Sequence, residues 1–390
     1  MRANIRKQIG GAVAAMLIVT LLSPQVQAIP PDPDNAALLY YQTLLIHHER
    51  DEEIWDFYDE FVKGRTGPTD GIRQYVAGSH AALEYAKLAT EVQDCDWGLP
   101  YSKGFSMLLI HLSQLRSLSR LMIADARLCA YDGRYEAALD RCLRVHRMAY
   151  HIGDDTLVSY LVASGVRDIS YACMRDVIGQ AWNDPTLLRW LRGELSQPAV
   201  REISPVRPLE IEREIVMDLM RMDRVRELAD ALSGESQEKE AERIIASANE
   251  EILGRARRIY SERVQEMLDV WAGPMSYREA HSQLNQLKSR SDPDDPASVL
   301  AGAIAPPMSR MYGSKVRTDA HAHAVRAGIE VCLHRAETGS LPATLPTDLP
   351  KDPFSGEDFE YGPTDQGFVL RCRARDLDKD TVHEYAFTLR

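Results

Sequence analysis

A mainly α protein carrying a small α+β module at its C-terminal end is the fold class this sequence predicts, and three observations carry it. Apolar residues recur three and four positions apart through most of residues 35–335, as they do on faces that bury in helix–helix packing. After Gly339 the pattern changes to proline-marked loops and a period of two, with Phe368, Leu370, Cys372 and Ala374 alternating against Val369, Arg371 and Arg373. Met1–Ala28 fits neither pattern and is laid out as an export signal. The expected organisation is a signal over 1–28, then an all-helical domain over 29–310, a multi-helix bundle or irregular α-α array with a subdivision near 200. A helix plus an antiparallel hairpin over 315–390 completes it.

Arg2, Arg6 and Lys7 form a positive start, Ile9 to Leu22 is mostly apolar, Ser23-Pro24 breaks the run, and Val26-Gln27-Ala28 presents short side chains for cleavage. The run is short of the roughly 20 residues that a membrane span needs. Cleavage after Ala28 is the expectation, with retention as an anchor the alternative. The protein would then work in the periplasm or be secreted, without stable membrane insertion. Losing those three cations takes the formal charge from -12 to -15. That balance argues against a nucleic-acid partner, which calls for a basic face. With 45% hydrophobic and 27% charged residues, the composition is that of a folded protein.

Helical spacing begins at Asn35–His48, with Asp34 placed to cap, and continues through Ile54, Trp55, Tyr58, Phe61 and Val62. Gly67-Pro68 marks a loop, and a helix is expected from Ile72 to Val92. From Ser102 to Gly179 three long helices are expected, separated at Gly133 and at Gly153-Asp154-Asp155. The run Gly133-Arg134-Tyr135-Glu136-Ala137-Ala138-Leu139, with Ala126 before it, resembles the turn and second-helix start of a tetratricopeptide repeat. That family implies a helical solenoid with a concave protein-binding face. The match covers about 40 residues without a second copy at the repeat offset of about 34, so here it supports an α-hairpin.

A short helix is expected between Pro185 and Pro198, then one over Glu210–Leu232 and another over Gln237–Trp271, parted at Ser233-Gly234-Glu235. Tyr277–Leu287 reads as a helix, and the segments around Asp292-Pro293-Asp294-Asp295-Pro296 and Ala305-Pro306-Pro307 read as linker. In the tail, Val316–Arg335 is an amphipathic helix, and Phe368–Ala374 and Tyr385–Leu389 are paired strands facing it.

Leu341-Pro342, Leu345-Pro346, Leu349-Pro350, Lys351-Asp352-Pro353-Phe354-Ser355-Gly356 and Tyr361 resemble the C-terminal part of type II secretion major pseudopilins. They also resemble the tails of uncharacterised exported helical proteins of planctomycete-like bacteria. The resemblance implies a helix, a Pro-marked turn and a small antiparallel sheet. It covers about 75 residues, and Met1–Ala28 lacks the pseudopilin's Gly-(Phe/Met)-x-x-x-Glu processing arrangement. A small packing or docking module, and not a filament subunit, is what the tail then implies.

No sequence pattern marks a catalytic, cofactor-binding or metal site. There is no HExxH, GxSxG, P-loop, GxGxxG or CxxC. His47-His48 with Glu49, Asp51, Glu52 and Glu53 reads as a solvated helix end, because adjacent histidines diverge by about 100° on a helix. His321 and His323 diverge likewise and read as surface residues, with His281 or His383 as distant company. Asp376, Asp378 and Asp380 imitate the opening of a calcium loop, but Thr381 and Phe387 stand where such a loop needs Gly and Glu, so an acidic hairpin turn is expected. Pseudopilins carry calcium near this end, which the tail resemblance implies as the alternative. Trp55, Tyr58, Trp97, Tyr101, Trp182 and Trp190 read as core or rim aromatics or as the lining of a groove. Of six cysteines, Cys129, Cys142 and Cys173 sit in apolar helical contexts as buried thiols, and Cys332 with Cys372 is the candidate disulfide. The functional expectation is a non-catalytic exported protein binding a protein or another envelope component. The alternative is a periplasmic hydrolase acting on carbohydrate or peptide through residues that meet only in the fold.

Overall fold

Asn35 opens the first helix by accepting the Ala37 N–H on its side-chain oxygen at 3.0 Å, so the cap lies one residue beyond the expected Asp34. The structure, a computed structural model, describes residues 31–47, 55–197, 200, 202–232, 246, 248–290, 292–305 and 308–390. The export signal, His48–Ile54, the Ser233-Gly234-Glu235 break and Pro306-Pro307 lie outside the described residues. The chain divides into the units Met1–Asp34 and Asn35–Arg390, and the described helices and strands belong to the second.

That unit is mainly α with a small C-terminal sheet. The helices are α1 (Ala36–Ile46), α2 (Trp55–Val62), α3 (Asp70–Gly78), α4 (His80–Glu91), α5 (Ile110–Tyr131), α6 (Tyr135–Ile152), α7 (Leu157–Gln180) and α8 (Pro185–Leu195). They continue as α9 (Val206–Leu219), α10 (Val225–Leu232), α11 (Glu250–Ala272), α12 (Tyr277–Ser289), α13 (Pro296–Ile304) and α14 (Met308–Thr338). Strands β1 (Glu360–Thr364), β2 (Gly367–Arg371) and β3 (Glu384–Thr388) form one antiparallel sheet in the order β1-β2-β3.

Helices α5, α6 and α7 form the centre, and their breaks fall at Gly133 and Gly153-Asp154-Asp155, as the sequence predicts. Leu115, Leu118 and Leu121 on α5, Leu139 on α6 and Ile178 on α7 are fully buried, each contributing on the order of 2 kcal/mol. A second core gathers Val216 and Leu219 of α9, Leu228 of α10, Leu253 and Tyr260 of α11 and Leu300 of α13.

Three expected elements differ from the structure. Ile72–Val92 is two helices, because Ser79 ends α3, with its hydroxyl on the Tyr75 carbonyl at 2.9 Å. Glu210–Leu232 breaks at Met220. Arg224 reaches back to the Ser102 carbonyl at 3.0 Å and pairs with Asp218 and Glu227, which folds α10 onto the second core. The expected linker at Asp295-Pro296 is instead the start of α13, with Asp295 accepting the Ala297 N–H and Pro296 in the first turn.

Helix α14 has 31 residues, runs through the boundary expected at 310–315, and sets its apolar face in the same core as α7. The sheet lies on both helices. Phe387 of β3 stacks on Phe368 of β2 at 4.7 Å and rests on Gly328 of α14, where a Cβ would stand 2.3 Å from the ring. At Gly179 of α7 a Cβ would meet the Thr388 carbonyl oxygen at 2.3 Å. Both contacts require glycine by proximity.

Candidate functional site

Between Leu157 and Met174 the only charged residues are Arg167 and Asp168, in an otherwise apolar helix. Arg167 is 3% exposed and points inward, donating to the Tyr171 hydroxyl at 2.8 Å with its guanidinium over that ring. His146 of α6, 1% exposed, sits edge-on to Tyr171 with ring centroids 4.3 Å apart. From α14, His321 approaches the same tyrosine and places Nδ1 3.3 Å from an Asp168 carboxylate oxygen. Tyr385 of β3 closes the far side, 5.0 Å from the His321 ring. Four elements thus bring two histidines, an arginine and two tyrosines together inside the protein.

Several polar atoms of this cluster have no hydrogen-bond partner: both ring nitrogens of His146, Nε of Arg167 and Nε2 of His321. Leaving a buried polar group unpaired costs about 1–3 kcal/mol. Arg167 forms no ion pair among the described residues. Burial, and then the charges of Arg167, His321 and Arg326, push the His146 pKa well below its ordinary value, so that ring is neutral. Burial raises that of Tyr171 against the pull of Arg167 and Arg326.

Arg326 connects the cluster to the surface. Just over one turn beyond His321 on α14, it lines a groove of about 280 Å³ between α8, α14 and the Pro346–Pro350 loop. Leu195, Ile329, Leu349 and the two prolines supply its apolar lining, and Arg192, Glu330, Asp348, Ser196 and Thr347 the polar part. Arg192 is paired with Glu330 at 3.3 Å. Among the described residues Arg326 makes only long contacts, 3.4 Å to the Leu195 carbonyl and 4.0 Å to Glu202. Asp348 at the rim has φ +67, a conformation that Asp tolerates better than most residues. A larger cavity of about 530 Å³, with Lys103, Glu227 and Asp230 on its walls, runs to Leu232, where the described residues stop.

The residues singled out in the sequence mostly serve the fold. Asp376–Thr381 is the hairpin turn expected, closed by the antiparallel pairing of Asp376 with Thr381, but its first two aspartates turn inward. Asp376 is fully buried, accepting from Arg317 at 2.9 Å, His383 at 3.0 Å and the backbone N–H of Asp378 at 2.9 Å. Asp378 meets His281 at 3.0 Å, and Asp380 pairs with Arg375 on the outside. Among the described residues no group of three or more His, Cys, Asp or Glu stands where it could hold a metal ion. His321 is buried and is not the surface residue expected, because α14 turns that face toward α7; His323 contacts the Lys351 carbonyl at 2.7 Å. His47 contacts the Tyr75 hydroxyl at 3.1 Å. Tyr58 and Trp97 are core residues, and Trp182 stacks under the Arg335 guanidinium at 4.1 Å.

Cys332 and Cys372 are both buried and both free thiols in the structure. Cys332 lies by Tyr361, and burial pushes its pKa up to about 12. Cys372 lies by Asp352, with its N–H on the His383 carbonyl. Cys142 and Cys173 are the thiols in mutual contact, deep between α6 and α7, where burial holds Cys142 protonated.

The hydrogen bonds of His151, His281, His321, His323 and His383 run to tyrosine, asparagine, carboxylates and carbonyls, and none to a serine, threonine or cysteine. Ser164 and Ser170, nearest to Arg167 on α7, both donate to helix carbonyls. Among the described residues no helix is long and apolar enough to cross a membrane. The fold and this site define an irregular α-helical protein closed by a three-stranded sheet, with a buried cationic cluster behind a surface groove. No family model, no curated protein and no solved structure matches the chain.

Proposed function

We propose that this is a non-catalytic exported protein that binds another protein of the cell envelope through the groove between α8, α14 and the Pro346–Pro350 loop. The observation that carries this reading is the groove's chemistry: an apolar lining sized for one or two side chains, polar groups around it, and an arginine with unsaturated contacts on its wall. The hydrolase alternative is disfavoured by the serines beside the cluster, which donate to helix carbonyls and not to a base. Export is motivated by the layout of Met1–Ala28.

Two measurements test the reading. Envelope proteins captured by the mature chain, and lost when Ser196→Trp fills the groove, support it. Capture of the same set by both forms, or of nothing by either, overturns it. Fractionation of the native host should find the chain in the envelope or medium with Ile29 as its first residue. An intact Met1 in the cytoplasm would overturn the export reading.

A further inference from the structure

We infer that the Arg326 wall of the groove receives the free C-terminal carboxylate of a peptide, with the apolar lining taking the side chain of its last residue. The inference rests on the groove being the binding site, and it names the ligand chemistry there.

Arg326 is the first reason. A guanidinium presents a planar fork that matches a carboxylate bidentately, and a well-used arginine has contacts near 2.7–2.9 Å. This one has a carbonyl at 3.4 Å and a carboxylate at 4.0 Å, both at the outer limit, while its side chain stays 36% exposed at the groove. Glu330, the nearer acid on α14, is already engaged by Arg192.

The interior behind Arg326 is the second reason. Arg167 is buried without a counter-ion among the described residues, and it comes from a different helix. Both guanidinium charges act on the same buried ring, that of His146. His321 adds an N–H-bearing ring with Nε2 unpartnered, although Asp168 at its other nitrogen offsets part of the field. A monoanion entering at Arg326 would meet that guanidinium on a half-buried groove wall, where the attraction is felt more strongly than in open water.

The groove's surroundings narrow the anion. Glu202 and Asp348 stand near the entrance, so a phosphate with its second charge meets more repulsion than a carboxylate does. Pro346 and Pro350 have no N–H, so at these positions the loop has no backbone donor to offer a ligand. A peptide backbone brings N–H donors, a single terminal charge and a side chain for the floor of Leu195, Ile329 and Leu349. Capture of a peptide's C-terminal carboxylate is an established mode of peptide recognition, and a guanidinium fork matches that group.

The test uses the mature full chain and a fluorescent pentapeptide, Gly-Ser-Ala-Ala-Leu, made as the free acid and as the C-terminal amide. The acid should bind at least about tenfold tighter than the amide. Arg326→Gln should bring the acid down to the amide's affinity and leave the amide unchanged, and Arg326→Lys should restore part of the difference. Thermal unfolding of each variant, within about 2 °C of the parent, establishes that the fold persists. Equal binding of acid and amide overturns the carboxylate site and leaves the groove reading standing. Binding of neither, with envelope capture still lost in Ser196→Trp, overturns the ligand class alone. Binding of neither, with capture unaffected by Ser196→Trp, overturns both. Displacement of the peptide by inorganic phosphate at concentrations where acetate is inert would also sink the monocarboxylate assignment.

Discussion

Arg317 on α14 donates to Asp376 at 2.9 Å, and through that contact the loop between β2 and β3 is fastened to the helix beneath it. Asp376 is fully buried and also holds His383 of the same loop. Burial opposes its charge, but the hydrogen bonds from His383, Arg317 and the Asp378 N–H outweigh that effect and hold its pKa below the ordinary value of 3.8.

Replacing Asp376 by Ala should therefore cost about 2–3 kcal/mol, because Arg317, His383 and the Asp378 N–H lose the buried acceptor they share, with Asp378 at 3.5 Å remaining to Arg317. The sign of the pH effect is that of a carboxylate whose folded pKa is depressed. Its stabilisation is complete above the unfolded value and is lost as pH falls through and below about 4. Urea midpoints of parent and variant should differ at neutral pH and converge toward about pH 2. A difference that persists at low pH would contradict the assignment.

Acid should also weaken the protein through two buried histidines. Burial lowers His151 to about 4 and His146 well below its ordinary 6.5. Between the unfolded value of 6.5 and about pH 5 the unfolded chain takes up protons that these folded rings do not. Each should cost up to about 2 kcal/mol over that interval, with stability highest above pH 6.5 and falling as pH falls. His146→Leu removes one such group along with two unpartnered nitrogens, so its urea midpoint should change less between about pH 7 and pH 5 than the parent's. An unchanged pH dependence in that variant would remove His146 from the account.

Gly328 and Gly179 set how closely the sheet lies on its two helices. An added Cβ meets the Phe387 ring in one case and the Thr388 carbonyl in the other, each at 2.3 Å. Gly328→Ala and Gly179→Ala should each destabilise by about 1–3 kcal/mol, despite alanine's better helix propensity. Gly165 on the same α7 has nothing within 4 Å of its Cβ position, so Gly165→Ala should be neutral or stabilising. Chemical denaturation of the three variants measures the contrast.

With both free in the structure, Cys332 and Cys372 should be two separate thiols. Protein purified without reductant and alkylated in denaturant should carry label at both positions in a peptide map. A crosslinked peptide joining them would overturn this placement.

The helical body was legible because its signals are local. Asn35, Thr69, Thr156, Asp184, Asn249 and Ser276 each cap a helix through a side-chain oxygen, and the central breaks sit at glycines. Missed elements had their signal masked by a competing reading. Asp295-Pro296 serves equally as a turn and as a cap followed by a first-turn proline, and only burial of Leu300 in the core that holds Tyr260 decides between them. The strand Glu360–Thr364 carries Gly362 and Pro363, which depress any strand reading, and it survives as an edge that pairs with β2 alone.

The candidate site was not legible, because His146, Arg167, His321 and Arg326 come from three helices and their spacing encodes only the face each occupies. One local signal existed. Arg167-Asp168 is the charged pair inside the otherwise uncharged stretch Leu157–Met174 of α7, and a cation within such a run advertises an interior polar contact. His321 and His323 were separated correctly onto divergent faces, but which of those faces turns inward depends on α7, far away in sequence.

The approach of Thr388 to Gly179 also orders events in time. Synthesis delivers α7 and α14 before β3, so the flank at Gly179 and Gly328 that receives Thr388 and Phe387 stays uncovered until β3 has emerged. A chain halted before that point presents that apolar flank to chaperones and proteases.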